Sequence, residues 1–247
     1  MMPEIEVVAT QRLEGLGIST EQLIHVWVNT DYFLRSIPYD FGLTPVDFYT
    51  ILSQRNLSGF VGEAFASASD IELDTLRKNP HPDGRPDLLN IRSDESRAYF
   101  HNDCFDSAGN PIRQRLAPYR YGGIEIKATI GQGFTLKADE MPAGQQRLAY
   151  AKGINYWAHH RHACTLMGIY YDYFPSQSGS PQICALFLAD IREEDWNKVS
   201  IGSSSSKKTS NTSLSPVGRD KIRQGLIAYR SDELVQSTLA RFKVTGV

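Results

Sequence analysis

The spacing of apolar residues divides the chain into helical and strand-like segments. Over residues 1–57 they recur at helical intervals, which predicts helices near Ile5–Leu16, Thr20–Ile37 and Pro45–Arg55. Glycines and a proline between these segments indicate where the helices end. We therefore predict an N-terminal helical subdomain over residues 1–57.

The next part of the chain alternates between helical and strand patterns. A short helix rich in small residues is expected near 58–66, and a proline-rich loop over 79–86 leads into a strand at Leu88–Ile91. Ser96–Phe105 is expected to form a second strand. In a third strand, over 122–130, apolar and polar residues alternate. This alternation places Glu125 and Lys127 on the same face.

Beyond the third strand, a helical pattern runs from about Gly144 to Ile169, and Gln182–Ile191 is apolar enough for a buried strand. Residues 58–191 thus read as helix, three strands, helix, strand, which predicts a mixed α/β fold. In residues 192–247 we expect a polar loop near 202–210 and helices at Ser215–Gln224 and Asp232–Phe242. The three segments are expected to form one compact unit.

Composition limits the class of protein. The chain has 247 residues, is 41% hydrophobic and 22% charged, and carries a formal net charge of −2. No stretch approaches the ~20 apolar residues of a membrane span, and the N-terminus does not resemble a signal peptide, so we expect a cytoplasmic protein. Cys104, Cys164 and Cys184 fit neither a disulfide framework nor a paired-cysteine metal site. The net charge excludes a protein that coats nucleic acid by bulk charge alone.

Two acids and a lysine stand out as candidates for chemistry. Asp87 precedes one predicted strand, and Glu125 and Lys127 share a face of another. If the two strands are neighbours, two carboxylates and one ammonium meet. Carboxylates are ligands that suit Mg²⁺, and a bound Mg²⁺ can activate water against a phosphate. Lys127 can orient that water or stabilise developing charge.

These residues occur in a recognisable order: Gly62-Glu63, then Pro86-Asp87, then Glu125-Ile126-Lys127. Over residues 58–191 this resembles the PD-(D/E)xK nuclease superfamily. The resemblance implies a restriction-endonuclease-like αβββαβ core in which Asp87, Glu125 and Glu63 bind the metal. The implied catalytic residues are these three acids and Lys127. The implied cofactor is Mg²⁺, with Mn²⁺ as a substitute, and no organic cofactor is expected.

The size of the chain, the segments on both sides of the core and the lack of a G-x-x-x-x-G-K-[ST] motif make it look most like a type II restriction endonuclease. The resemblance then implies a homodimer that cuts both strands of a short double-stranded DNA site. A cognate methyltransferase is expected as a genetic rather than a physical partner.

Basic and polar residues around this core are the candidates for DNA contacts. Arginines just before the Glu125 strand, the histidine-rich segment after it and the C-terminal extension (192–247, expected to recognise DNA or to dimerise) can bind phosphates or base edges. The residues assigned on this basis are Arg113, Arg115, Arg120, His160, Arg161, Lys207, Lys208, Asn211, Arg219 and Lys221.

Other interpretations remain open. A structure-selective repair or recombination nuclease would use the same site, and a non-catalytic DNA-binding module could retain the fold. Without function, Asp87 would be a turn residue, Glu125 and Lys127 a surface ion pair, and Glu63 an exposed helical acid. A zinc protein is a further alternative, based on His159, His160, His162 and Cys164.

Overall fold

The structure is a computed structural model that describes residues 4–52, 54–116, 119–130, 156–157, 165–173, 179–198, 200–201, 210–241 and 243–245. Its described part contains eight α-helices: α1 Thr10–Leu16, α2 Thr20–Asp40, α3 Pro45–Thr50, α4 Gln54–Glu72, α5 Asp94–Asn102, α6 Arg113–Leu116, α7 Pro216–Arg223 and α8 Glu233–Arg241. It also contains ten strands: β1 Ile5–Val7, β2 Leu76–Lys78, β3 Leu88–Asn90, β4 Gly123–Ile130, β5 Tyr156–Trp157, β6 Thr165–Asp172, β7 Gln182–Asp190, β8 Ser200–Ile201, β9 Ser210–Thr212 and β10 Leu226–Arg230. The predicted mixed α/β class is confirmed.

Seven strands form one mixed sheet in the order β1-β10-β7-β6-β4-β3-β2. Neighbouring strands are antiparallel except β4 and β6, which run parallel. The strands β5, β9 and β8 form a separate small sheet. A parallel pair needs a crossover connection, and here the chain between β4 and β6 supplies it.

The large sheet has a hydrophobic layer on each face. The larger core joins the N-terminal helices and α4 to one face, where Trp27, Phe65 and Ile126 are buried together. A second core joins α8 to the other face through Val235 and Leu239. Burial of apolar surface on both faces supplies the main stabilisation of such a three-layer arrangement. The functional candidates lie toward the β3–β4 side of this sheet.

The N-terminal helices differ from the sequence prediction in two places. Ile5–Val7 is a strand that pairs with β10, and the helix begins only at Thr10. Helix α2 continues through Pro38 to Asp40, where the prediction ended it at Ile37. Proline cannot donate to the carbonyl four residues earlier. That carbonyl, of Leu34, instead accepts a 2.5 Å hydrogen bond from the Tyr49 hydroxyl, which removes the cost of the missing donor.

The predicted strand at Ser96–Phe105 is wrong, because this segment contains helix α5. Ser93 caps the helix by accepting from the backbone N–H of Ser96, and two acids occupy the first turn. A capped start with acidic residues favours a helix. The three strands of this region are instead β2, which the prediction missed, then β3 and β4.

The predicted helix from Gly144 to Ile169 is also wrong where the structure describes it. Tyr156–Trp157 and Thr165–Asp172 are both strands, and the rest of that prediction lies outside the described residues. Residues 166–172 are buried. An apolar run this long fits a strand covered on both faces as well as it fits a helix.

The later elements agree better with the prediction. The strand expected at Gln182–Ile191 is β7, and the two expected C-terminal helices are α7 and α8. The sheet draws its strands from all three predicted segments, since β1 lies within residues 1–57 and β10 within 192–247. Among the described residues, no helix combines the length and the apolar character needed to cross a membrane.

Candidate functional site: an acidic pair between two strands

The two central acids are brought together by the pairing of β3 with β4. In this antiparallel ladder Leu88 pairs with Ile124 and Leu89 with Gly123. Continuing the same register by one residue sets Asp87 opposite Glu125. Directly opposed residues of a sheet have their Cβ atoms about 4.5–5.5 Å apart, and like charges there are destabilising.

Gly123 allows the two strands to come this close. Its φ is 140°, and a Cβ at this position would lie 2.3 Å from the Leu88 carbonyl oxygen and 2.4 Å from Pro86 Cγ. Any other residue would push β4 away from the segment that carries Asp87. This glycine therefore positions the site without taking part in its chemistry.

The loop before Asp87 is held by the buried side chain of Asn79. Its amide nitrogen donates to the carbonyls of Pro86 (3.0 Å) and Leu116 (2.9 Å), and its backbone N–H donates to the Asp87 carbonyl (2.8 Å). Its side-chain oxygen accepts from the His81 N–H at 3.0 Å. These bonds fix the path of the loop from both sides, so the position of Asp87 is set by the scaffold.

Glu125 is a buried carboxylate with a partner on each oxygen. Its side chain is 3% exposed. Oε1 lies 3.1 Å from Lys127 Nζ, and Oε2 accepts a 2.9 Å hydrogen bond from the Tyr119 hydroxyl. Because Ile124 and Ile126 pack into the core beneath α4, strand alternation puts Glu125 and Lys127 on the opposite face. The predicted shared face of the two residues is confirmed.

Asp87 has a strongly perturbed acidity. Burial, the nearby Glu125 and, to a smaller extent, Glu63 together raise the pKa of its carboxyl to about 7. Lys127 and the Ile126 N–H, which donates to Oδ2 at 2.6 Å, act in the opposite direction. A half-buried carboxyl beside a buried carboxylate is an arrangement that structural ion pairs avoid and that functional sites often use.

Glu63 lies beside this pair and not within it. The residue is on α4, with its side chain 65% exposed, and its Oε2 is 2.8 Å from Lys78 Nζ on β2. Lys78 also donates to the hydroxyl of Ser67, one turn further along α4. Glu63 is near enough to raise the pKa of Asp87, but its carboxylate is bound to Lys78.

The carboxylates of Asp87 and Glu125 are ligands of the kind that a magnesium ion prefers. Within the described residues, no three His, Cys, Asp or Glu side chains are arranged as a ready metal cage. Magnesium does not require one, because it is usually held by one or two carboxylates together with water and substrate phosphates. Asp87 and Glu125 supply such a pair, and the mutual repulsion that raises the pKa of Asp87 is what a bound cation would relieve.

The arginines ahead of β4 are exposed at the protein surface. Arg113 and Arg115 are exposed on the short helix α6, and Arg115 donates to the Asp103 carbonyl. The guanidinium of Arg120 lies 4.7 Å from the ring centre of Tyr99 and 5.4 Å from that of Tyr121. Of these three predicted DNA-contacting residues, Arg115 and Arg120 line one groove.

The C-terminal candidates are more dispersed. Arg219 is exposed on α7, whereas Lys221 Nζ is engaged at 2.6 Å by the buried carboxylate of Asp195. Asn211 lies in β9, paired with Trp157 of β5 and Ser200 of β8. The remaining predicted residues lie outside the described part of the chain: His160, Arg161, Lys207 and Lys208, together with the alternative zinc ligands His159, His162 and Cys164.

Two residues that contact the site acids were missed by sequence reasoning. Lys78 binds Glu63, and Tyr119 binds Glu125. Lys78 ends a three-residue strand too short to give an alternation signal. Tyr119 lies in an irregular turn before β4, where no periodicity applies. The only signal for Tyr119 was its place six residues before Glu125.

Comparison with models of protein families, with curated proteins and with solved structures finds no match to this chain. The functional assignment therefore depends on the geometry of the site and on the resemblance of its motif.

Proposed function

We propose that this protein is a Mg²⁺-dependent DNA endonuclease of the PD-(D/E)xK type, and that it acts as a type II restriction endonuclease. The observation that carries the proposal is the meeting of Asp87, Glu125 and Lys127 at the β3–β4 ladder, with Glu63 within electrostatic reach. These are the four residues that the motif resemblance implies. The chain order α4-β2-β3-β4 followed by β6 parallel to β4 supports the same core.

The charge distribution argues against a purely structural ion pair. Two acids, Glu125 and Glu63, act on the carboxyl of Asp87, while Lys127 contacts Glu125 and Lys78 contacts Glu63. A pair that served only stability would not place a second carboxylate against a buried first one. The excess of negative charge is suited to a divalent cation that arrives with a phosphate substrate.

Each residue has a distinct part in the proposed reaction. Asp87 and Glu125 hold the metal ion, and Glu63 can contribute through water after leaving Lys78. When bound, the ion polarises the scissile phosphate and lowers the pKa of a water molecule. Lys127, fixed by Glu125, places an ammonium group beside the reacting phosphate and stabilises its negative charge. Tyr119 keeps the Glu125 carboxylate in one orientation.

Hydrolysis of DNA on gels tests the proposal. Purified protein is incubated with phage-sized duplex DNA and Mg²⁺. Discrete, reproducible fragments are expected from a site-specific homodimer, and sequencing of their ends gives the recognition site. A smear would favour the structure-selective nuclease over the restriction enzyme. No cleavage with Mg²⁺ or Mn²⁺, alongside measurable DNA binding, would overturn the enzyme proposal and favour a binding module.

Variants assign the cleavage to the proposed site. Asp87→Ala and Glu125→Ala should each lower the cleavage rate by about 10³-fold or more, since they remove metal ligands. Ca²⁺ should support DNA binding with little cutting. Asp83→Ala is the matched control, because Asp83 is an exposed acid of the same loop and should cut at the wild-type rate. Full activity in Asp87→Ala would reject this site.

A further inference from the structure

A groove lies between helix α5 and the turn that leads into β4. Its volume is about 660 Å³, and its lining includes Glu95, Tyr99, Asp103, Arg115, Arg120 and Tyr121. We refer to it as the Tyr99 groove. Pockets that bind small organic groups have volumes of about 300–1,000 Å³, so the groove can hold a nucleotide.

The wall of the groove is a fixed aromatic surface. The rings of Tyr99, Phe100 and Tyr121 pack with centres 5.3 to 5.7 Å apart. The Tyr121 hydroxyl donates to Glu95 at 3.1 Å, and the Tyr99 hydroxyl donates to the Arg115 carbonyl at 3.1 Å. Both tyrosines are therefore held in place before any ligand arrives, which lowers the entropy lost on binding.

Arg120 adds a planar cation to this surface. Its exposed guanidinium lies over the rings of both tyrosines. Within the described residues, neither Arg120 nor the nearby Arg115 forms an ion pair with a carboxylate. One face of a guanidinium on aromatic rings leaves the other face for a flat ring, and nucleobases stack on such layers in single-stranded nucleic acid sites.

The carboxylates at the groove narrow the choice of ligand. Glu95 and Asp103 line the same space as the two arginines. They would repel a free inorganic anion, but they can accept hydrogen bonds from the amino and ring N–H groups of a base. The two arginines can meanwhile bind its phosphate. This mixture of groups suits a whole nucleotide better than an isolated phosphate.

The groove and the acidic pair are linked by one short segment of chain. Tyr119 bonds Glu125, while Arg120 and Tyr121, the next two residues, line the groove. The Cα atoms of Tyr119 and Tyr121 are therefore at most about 7 Å apart. A DNA strand that is cut at the acidic pair would reach the groove within a few nucleotides of the cut.

We propose that the Tyr99 groove binds one unstacked nucleotide of the substrate DNA, next to the cut, with its base stacked on Arg120 and its phosphate near Arg115. This inference rests on the proposed function, because it takes DNA as the substrate. The nucleotide leaves the duplex either by extrusion from a paired site or because it is already unpaired in branched DNA. Unstacking has a free-energy cost, so DNA with unpaired nucleotides should bind more tightly.

The test compares two labelled duplexes of equal length in Ca²⁺, one fully paired and one with three unpaired nucleotides in one strand. Binding is measured by fluorescence anisotropy. For the wild type, the duplex with unpaired nucleotides should bind about tenfold more tightly. Arg120→Ala should reduce this preference to less than about twofold, since loss of base stacking typically weakens binding of the duplex with unpaired nucleotides about tenfold.

Two further variants separate stacking from charge and from damage to the fold. Arg120→Lys keeps the charge but loses the planar group, and it should also lose most of the preference. Arg35→Ala is the matched control, because exposed Arg35 lies 5.8 Å from the ring of Tyr32 on α2, outside the groove. It should leave both affinities unchanged. An equal loss for both duplexes in Arg120→Ala would show a charge contact only and overturn the proposal.

The outcome is separable from that of the nuclease assay. If the protein cuts DNA but Arg120→Ala binds both duplexes as the wild type does, the groove inference fails alone. If no metal supports cutting but the Arg120-dependent preference is present, the groove inference holds and the nuclease proposal fails. Absence of binding to either duplex would overturn the groove inference directly.

Discussion

Two sheltered aspartates in this protein have opposite surroundings. Asp31 on α2 is bound by Arg230 Nη2 at 2.8 Å, by the Ile183 N–H at 2.8 Å and by the Trp27 indole at 3.2 Å. The pKa of Asp31 is raised to about 6 by burial, although its three partners each act to lower it. Asp87 is raised to about 7, and there the neighbouring carboxylates of Glu125 and Glu63 add to the effect of burial.

The contrast separates an acid that stabilises the fold from the acid that we propose as a metal ligand. Asp31 has a buried cation and two neutral donors as partners, so its removal leaves Arg230, 7% exposed, without a counter-charge. Asp87 faces a like charge, so its removal relieves a repulsion. Both pKa values are raised, and it is the sign of the neighbours that distinguishes the two sites. Measurements on the two aspartates should therefore move in opposite directions.

The largest expected effect is on the structural aspartate. Asp31→Ala should lower the free energy of unfolding by about 3–5 kcal/mol, because it leaves a buried guanidinium unpaired. Chemical denaturation at pH 7 measures the change. Asp94→Ala is the control, since the Asp94–Arg97 pair is exposed, and it should lower the free energy of unfolding by less than about 1 kcal/mol. An equally small change in both variants would show that Asp31 does not stabilise the fold.

A divalent metal ion should stabilise the protein only through the site that contains Asp87. At a Ca²⁺ concentration about 100 times its Kd, wild-type protein should gain about 2.7 kcal/mol of unfolding free energy, because the ion binds the folded state alone. Removal of the metal with EDTA should reverse the gain. Asp31→Asn should retain it, and Asp87→Ala should lose it. A metal-induced rise in Tm that persists in Asp87→Ala would place the ion elsewhere.

A third measurement uses pH in metal-free protein. The pKa of Asp87 rises from 3.8 to about 7 on folding, so its contribution to stability is present below pH 3.8 and is lost as the pH rises through 7. Asp87→Asn does not titrate and can still accept from the Ile126 N–H. The full pKa shift corresponds to about 4 kcal/mol, but Asp87 is partly exposed and solvent screening reduces this value. We therefore expect Asp87→Asn to be more stable than the wild type by about 1–2 kcal/mol at pH 8.

At pH 4 the same substitution should change the free energy of unfolding little, because the folded state is then protonated at this position and the unfolded state, with its ordinary pKa of 3.8, is only partly ionised. Urea denaturation of the two proteins in EDTA at both pH values gives the comparison. Loss of stability in Asp87→Asn at pH 8 would mean that Asp87 supports the fold as Asp31 does.

The smallest effect concerns Lys78 and Glu63. Their ion pair is largely exposed, so Lys78→Met should change stability by less than about 1 kcal/mol. It should nevertheless tighten Ca²⁺ binding severalfold, because Glu63 is released and a positive charge near the acids is removed. Arg77→Met removes an exposed charge from the same strand without the Glu63 contact, and it should bind Ca²⁺ as the wild type does. Calorimetric titration measures both affinities.

The sequence predicted the parts of the site that follow from strand alternation. The pattern over 122–130 placed Glu125 and Lys127 on one face, and the proline-rich loop delivered Asp87 to the start of a strand. Alternation is a local property, so it can be recognised without knowledge of the fold. The mixed α/β class followed from the same patterns.

The parts that could not be predicted depend on contacts distant in sequence. The short strand β2 exists because it pairs with β3, and Ile5–Val7 is a strand because it pairs with β10. The segment of α5 contains aromatic residues that suit a strand, and its end caps decided the outcome. The contact of Lys78 with the Glu63 carboxylate likewise depends on how α4 packs beside β2.

The pairing of β1 with β10 has a consequence for protein synthesis. Residues 5–7 form their ladder with residues 228–230, and the Glu4 carbonyl accepts from the Ser231 N–H. A ribosome adds about 5–20 residues per second, so the first strand waits roughly 10–45 s for its partner. During this interval one edge of the sheet is open and its apolar residues depend on the helices, or on a chaperone, for cover.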